Sequence, residues 1–237
     1  GFVGNVACQF HRCNASVNAG RGFSVTGRSL LVECTASTNQ SDGFWLNYNC
    51  DVQRCVASGS FLYGFVASGP MNRITNCNAT GNTRYGIRAV DKTHISECTL
   101  YDNNWGGVHI SNGGTVERCT IQYSFSTPTY GILMDGSLVT IRDNTITEYA
   151  AVNAAGIKIA GGGLCRIERN HIGNCWRSLD VSSGANMITG NSSVLVGGGG
   201  HYSIVGGNSF GPVVNVSNVG DFSGVPNSTH PQANFVY

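Results

Sequence analysis

Arg88, His109, Lys158 and Asp180 occupy one recurring position in the chain, two residues after a glycine in the first three cases. Aromatic residues crowd the same neighbourhood: Tyr63, Tyr85, Trp105 and Tyr130 come just ahead of that glycine, and Trp45 shares the position itself. Imidazole, amine and phenol groups can take up a proton, and a guanidinium can stabilise the enolate-like charge left behind. His109, Tyr130 and Lys158 are therefore candidate bases for a lyase-type reaction, with Arg88 as the stabilising cation. Aromatic faces stack on sugar rings, and cations meet uronate carboxylates. On that chemistry Trp45, Tyr63, Tyr85, Trp105, Asp135 and Asp180 complete a candidate sugar-binding strip. Glycoside hydrolysis needs two carboxylates about 5 to 9.5 Å apart. Asp135 and Asp180 come nearest to such a pair, but they belong to units two apart, which fits hydrolysis less well.

The strip exists only because the chain repeats. Cys13, Cys34, Cys55, Cys77, Cys98 and Cys119 follow one another at steps of 21, 21, 22, 21 and 21 residues, and Asn144, Asn170 and Asn191 then take the same position. A period of this length, sustained over nine copies, marks a solenoid in which each unit forms one coil stacked on the next. Three residues before the ruler position stands an apolar column from Phe10 and Leu31 to Ile167 and Ile188. Two residues after it stand Ala15, Ala36, Ala57 and Ala79, then Leu100, Ile121, Ile146 and Ile172. The residue after the recurring glycine runs Phe23, Phe44, Phe65, Ile87, Val108, Ile132, Ile157. Large follows small in the early coils and the sizes converge later, as an interior of constant density requires.

Apolar residues alternating over three or four positions between turn residues predict very short strands, about three to a coil, and no copy keeps a helical period. With the residue after the glycine pointing inward, the next one points out, which puts Ser24, Trp45, Val66, Arg88, His109, Leu133, Lys158 and Asp180 on one face. A further column, Asn18, Asn39, Asn82 and Asn103, suggests left-handed turn positions with stacked amides. Glu33, Arg54, Glu97, Arg118, Asp143 and Arg169 share a column whose alternating signs suggest ion pairs between coils, each contributing about 0–1 kcal/mol if exposed.

Two coils are longer, by three residues within Tyr123–Tyr130 and three more between Thr147 and Gly156. Extra residues in a solenoid emerge as loops on one side, often the binding side. The period fails at Gly197–Gly200, a tetraglycine read as a flexible turn. We therefore divide the chain into coils over 1–195 and an irregular last coil and cap over 196–237. The first coil lacks its earlier part, because Gly1-Phe2 lies 21 residues ahead of Gly22-Phe23, and the chain reads as a fragment of a longer protein or a processed product.

Composition narrows the partners. Only 11% of residues are charged and the formal net charge is +1, which argues against nucleic-acid binding through a broad basic surface. No apolar run has the length to span a bilayer. Ten cysteines would ordinarily suggest a disulfide scaffold, but six form the ruler and Cys8, Cys50 and Cys165 each sit five residues ahead of a ruler position. Stacked small apolar side chains explain that order better than pairing, so most thiols are expected to be free and buried. There is no C-x-x-C and no paired histidine motif, so no metal or other cofactor is expected.

The unit I-x-x-[C/N]-x-[A/I] followed by G-[I/F]-x-V, over roughly residues 1 to 195, resembles the repeat of right-handed parallel β-helix proteins of the pectate-lyase-like group. That resemblance implies an all-β right-handed parallel solenoid of nine to ten coils with a C-terminal cap. It also implies substrate lying along the outer face of one strand stack. Polygalacturonases of the group carry catalytic Asp residues just before the G-I-x-I strand. Here that position holds Arg21, Asp42, Tyr63, Tyr85, Gly106, Tyr130 and Ala155, so only Asp42 matches. The expected function is an extracellular or cell-surface protein that binds or processes a polysaccharide, an acidic glycan above all, in a lyase-like way. The alternative is a non-catalytic surface or spike segment, a rigid spacer or adhesin. Exposed aromatic and charged residues on a β-surface also pair with neighbours without any ligand, and a flat strip rather than a walled groove would favour the spacer.

Overall fold

The computed structural model describes residues 1–122, 129–194, 197–216 and 226–237 of the chain. Among these residues, strands of mostly three residues recur three to a coil and stack into three parallel sheets of ten, ten and eleven strands. The first sheet runs from Phe2–Gly4 through Tyr85–Asp91, Gly106–Asn112, Tyr130–Met134 and Ala155–Ile159 to Leu179–Val181 and Tyr202–Ile204. The second runs from Gln9–His11 to Ser209–Phe210, and the third from Asn14–Ser16 to Ser192–Val194. The third sheet then takes Asn234–Val236 and last Val213–Asn215, so the C-terminal strand lies between two earlier ones. The coils are right-handed, the hand that twisted strands impose on parallel crossovers. No described residue is helical.

Register confirms the columns. Phe23, Phe44 and Phe65 pair in sequence, their rings stack at 4.8 and 4.7 Å, and all three are fully buried. Ala36, Ala57 and Ala79 are buried in the companion column, where Leu100, Ile121, Ile146 and Ile172 follow as the ring column gives way to Ile87, Val108, Ile132 and Ile157. The glycine between these columns is a steric requirement rather than a conformational one. A Cβ on Gly131 would lie 2.4 Å from Ile146 Cγ2 and 2.5 Å from the Gly156 carbonyl oxygen.

All ten cysteines are free thiols, and five of the six ruler positions are buried. Cys8 and Cys13, both in the first coil, are half-buried. Cys34 is typical of the rest: its N–H donates to Cys55 Sγ at 3.3 Å and its thiol donates to the Val32 carbonyl. From Cys119 onward amides replace the thiols, in a ladder Asn144–Asn170–Asn191–Asn234.

The left-handed turn positions differ from the expectation. They fall one residue ahead of the asparagine column, at Val17, Thr38, Gly59, Gly81 and Asp102, and one ahead of the ruler, at Arg12, Glu33, Arg54, Glu97, Arg118, Asp143 and Arg169. The asparagines point inward and bond between coils, as Asn82 Nδ2 does to Asn103 Oδ1 at 2.8 Å. Holding the charged column in this conformation splays its side chains outward. The expected ion pairs follow: Arg12–Glu33 at 2.8 Å, Arg54–Glu33 at 3.2 Å, Arg118–Glu97 at 3.2 Å and Arg169–Asp143 at 2.8 Å.

Most of the first longer segment, 123–128, lies outside the described residues. The second does not simply emerge as a loop. Val152 is exposed at its tip, but Tyr149 turns fully inward and, with Cys175, continues the column begun by the asparagines. The tetraglycine lies against the Trp176 indole, where a Cβ on Gly198 or Gly199 would approach ring atoms to 2.7 or 2.5 Å. It is a packed turn, bonded to Cys175 and Trp176 carbonyls, and not the loose connection its composition suggested.

Candidate functional site

The first sheet sets its outward residues in one line. Ser24, Trp45, Val66, Arg88, His109, Leu133, Lys158, Asp180 and Ser203 are successive register partners. Strands are about 4.8 Å apart, so Arg88 and Asp180 are separated by about 19 Å along the axis. Side chains two residues further along each strand form a second outward line, which includes Ser111, Asp135 and Ser182.

The two lines meet at His109. Its Nε2 lies 2.8 Å from Asp135 Oδ2, and its ring centroid is 5.4 Å from that of Tyr85. Partial burial would raise the Asp135 pKa, but hydrogen bonds from His109 and Ser111 outweigh it and hold the carboxyl below its usual range. With Nε2 engaged by a carboxylate, Nδ1 is the nitrogen left to accept a proton. Tyr85 and Tyr130 both pair with Gly106, one on each side of it. Burial pushes both phenols up, aided by Asp180 at Tyr130, so both keep their protons at neutral pH. Tyr130 is therefore a neutral phenol rather than a phenolate base. Tyr85 is only 6% exposed and serves more as wall than as open platform, edge-on to Trp105 at 6.1 Å.

Lys158 is differently placed from its expected role as a base. Its Nζ sits 2.9 Å from Asp180 Oδ2 and 2.7 Å from Ser182 Oγ, and Arg177 contacts the same Asp180 oxygen at 3.2 Å. Asp135 and Asp180 are therefore each committed to a cation or imidazole, and they do not form a carboxylate pair with each other. Trp45 lies under Arg21, whose guanidinium carbon is 4.6 Å from the ring centroid and which also pairs with the buried Asp42. Tyr63 receives Arg84 at 5.3 Å and Arg88 at 5.8 Å, and Arg84 also lies 4.7 Å from Trp105.

Sequence reasoning passed over Arg84, Arg177, Ser111 and Ser182. Ser111 and Ser182 were accessible to it, since they follow His109 and Asp180 at the period-two step that a strand imposes. Arg177 continues the column just before the recurring glycine, after Ala155, and Arg84 shares the column of Trp105, so the period reaches both. Two cavities, of 410 Å³ beside Leu164, Arg166 and Met187 and of 290 Å³ beside Thr140, Arg142 and Glu168, lie over the second sheet and not on this strip. Among the described residues no group of three or more His, Cys, Asp or Glu is placed to hold a metal ion.

Residues 87–222 match the family model described as the right handed beta helix region. No curated protein sequence matches the chain. Among solved structures, the chain is similar to the A-module of a mannuronan C-5 epimerase from Azotobacter vinelandii, with TM-score 0.61 and 17% identity over 86% of this chain and 64% of that one. It is similar to the Dettilon tailspike protein, with TM-score 0.56 and 11% identity over 99% of this chain and 61% of that one. It is also similar to a mutant tailspike protein of E. coli bacteriophage HK620, solved in complex with a pentasaccharide, with TM-score 0.53 and 11% identity over 91% and 47% of the two chains. The chain spans less than two thirds of the length of each of these structures.

Proposed function

The chain belongs to the right-handed β-helix family, and from that premise we propose that the outer face of its first sheet binds an acidic polysaccharide and cleaves it by elimination. The observation that carries the proposal is the His109 Nε2–Asp135 Oδ2 contact of 2.8 Å, with Arg88 the register partner of His109. A histidine oriented by a carboxylate is a general base, and a neighbouring guanidinium can hold a substrate carboxylate and the charge that develops on it. In the proposed step His109 Nδ1 takes the proton from the carbon bearing the sugar carboxylate. The released electron pair forms a carbon–carbon double bond, the bond to the glycosidic oxygen breaks, and Tyr130 protonates that oxygen. Trp45, Tyr63 and Trp105 supply ring faces for neighbouring sugars, with Tyr85 as a partly covered wall. Similarity to an epimerase that acts on mannuronan and to a tailspike crystallised with an oligosaccharide supports a glycan as the ligand. An extracellular or cell-surface location goes with that reading.

A panel of uronate-containing and neutral polysaccharides tests it. The expected result is retention of a uronate polymer, with ultraviolet absorbance from new unsaturated ends; His109→Ala and Asp135→Asn should lose the absorbance and keep the retention. Retention without cleavage by the parent would leave a glycan-binding protein with no elimination chemistry. Lys158, Arg177 and Asp180 already satisfy one another, which favours the spacer reading if the parent retains no polysaccharide.

A further inference from the structure

Arg84 and Arg88 converge on a single ring. Their guanidinium carbons lie 5.3 and 5.8 Å from the Tyr63 centroid, and Arg84 also donates from Nη1 to the Tyr63 hydroxyl at 3.3 Å. Tyr63 belongs to the coil before these arginines and Trp105 to the coil after, so Arg84 is layered between two aromatic rings. In the charged turn column, Arg12, Arg54, Arg118 and Arg169 each meet a carboxylate. Arg84 and Arg88 meet none among the described residues. Two like charges gathered at one ring without a counter-ion repel each other, and a bound anion removes that repulsion. The bond to the Tyr63 hydroxyl uses one Arg84 donor; the further N–H groups of a guanidinium fork can grip a carboxylate or sulfate edge-on.

We propose that Arg84, Arg88, Tyr63 and Trp105 form a subsite for an oxyanion borne on a sugar, a carboxylate or a sulfate ester. The proposal rests on the glycan reading above and extends it, because it fixes where the acidic group sits. Arg88 pairs in register with His109, so the anion is held beside the His109–Asp135 pair and on its N-terminal side. Arg84 contributes charge and Trp105 the ring surface against which the sugar lies.

Trp105 is the natural reporter, since Arg84 touches its ring. Fluorescence of the protein would be followed on adding a short oligogalacturonate, a sulfated galactan oligosaccharide, a neutral galactan oligosaccharide and inorganic sulfate. A saturable change is expected with one or both acidic sugars and none with the neutral one; which acidic sugar binds identifies carboxylate or sulfate ester. Arg84→Gln and Arg88→Gln should each weaken that binding about tenfold or more, as expected for a lost charge-assisted hydrogen bond. Trp105→Phe should remove the signal, while Lys158→Gln should retain it, with circular dichroism confirming that each variant is folded. Unchanged affinity in Arg84→Gln, an equal response to the neutral sugar, or a response to inorganic sulfate matching that to the sugars would overturn the proposal. Polysaccharide retention that survives in Arg84→Gln with no loss sinks the subsite and spares the glycan reading. Acidic oligosaccharide binding without retention of any polymer keeps the subsite and overturns only the reading of a polymer bound along the sheet.

Discussion

Asn144 shows what is gained when asparagine takes over from cysteine at the ruler position. Its Oδ1 accepts from the Cys119 N–H at 2.9 Å, and its Nδ2 donates to the Val116 carbonyl at 3.0 Å and to Asn170 Oδ1 at 2.9 Å. Cys55 performs the first two roles with one sulfur, accepting from Cys34 N at 3.3 Å and donating to the Leu31 carbonyl at 3.6 Å. Thiol and amide are thus alternative solutions to one problem: a buried N–H and a buried carbonyl, both on the coil before. Asn144→Ala should leave both unpaired, and each unmade buried hydrogen bond costs about 1–3 kcal/mol, so a loss of at least about 2 kcal/mol in urea denaturation is expected. Asn144→Cys should cost less than half of that. Equal losses for the two variants would show that the sulfur only fills space. The exchange of residue types was legible in the sequence. The bonding logic was not, because a column of small residues reads equally well as packing. The His109–Asp135 contact escaped for a related reason: Asp135 stands two residues past Leu133, in the second outward line, and was weighed against Asp180 rather than against His109.

Turns between the first and second sheets hold left-handed residues in column, among them Met71 at φ 61°, Leu138 at φ 62° and Leu164 at φ 57°. A bulky apolar residue there is strained by about 1–2 kcal/mol, and Leu138 and Leu164 are 63% and 66% exposed, so burial does not offset it. Nothing in the described structure explains why leucine stands at these two positions. Leu138→Asn should relieve part of the strain, since asparagine tolerates this conformation, without the added unfolded-state entropy of glycine. A gain of about 0.5–1 kcal/mol, read as a raised midpoint in urea, is the expected outcome; a loss would mean that the exposed leucine makes a contact worth more than its strain. At the scale of elements the sequence was most informative, since sheet membership, register and inward direction all follow from one period. It misplaced the left-handed residue by one position because glycine and asparagine, the usual markers, are mostly absent from the true turn sites.

A solenoid distributes its acid sensitivity along its axis, because each titrating group sits between particular coils and each coil leans only on its neighbours. His94 is held below the usual imidazole value by burial and by Arg73, Arg118 and Arg142, against the opposing pull of Glu117; burial does the same to His201. Burial would raise the pKa of Glu117, but Arg142 and Arg118 outweigh it and hold the carboxyl low, while a hydrogen bond from Arg169 leads the lowering of Asp143. For each of these groups the unfolded chain binds a proton more readily than the folded one, so stability rises with pH across the interval between the folded and unfolded values. For the histidines that interval starts near the ordinary value of about 6.5 and extends downward. For the carboxyls it starts near their ordinary values and again extends downward. Acidification should therefore destabilise the molecule in two stages, the first from the coils around His94 and His201, the second from the arginine-linked carboxylates. His94→Gln should flatten the first stage in part and leave the second intact. Amide exchange should locate the first loosening in the coils near His94 and His201, with the amides of the intervening Asn144–Asn170 ladder protected until the second stage. A single uniform loss of protection along the whole axis, at one pH, would refute the coil-by-coil account.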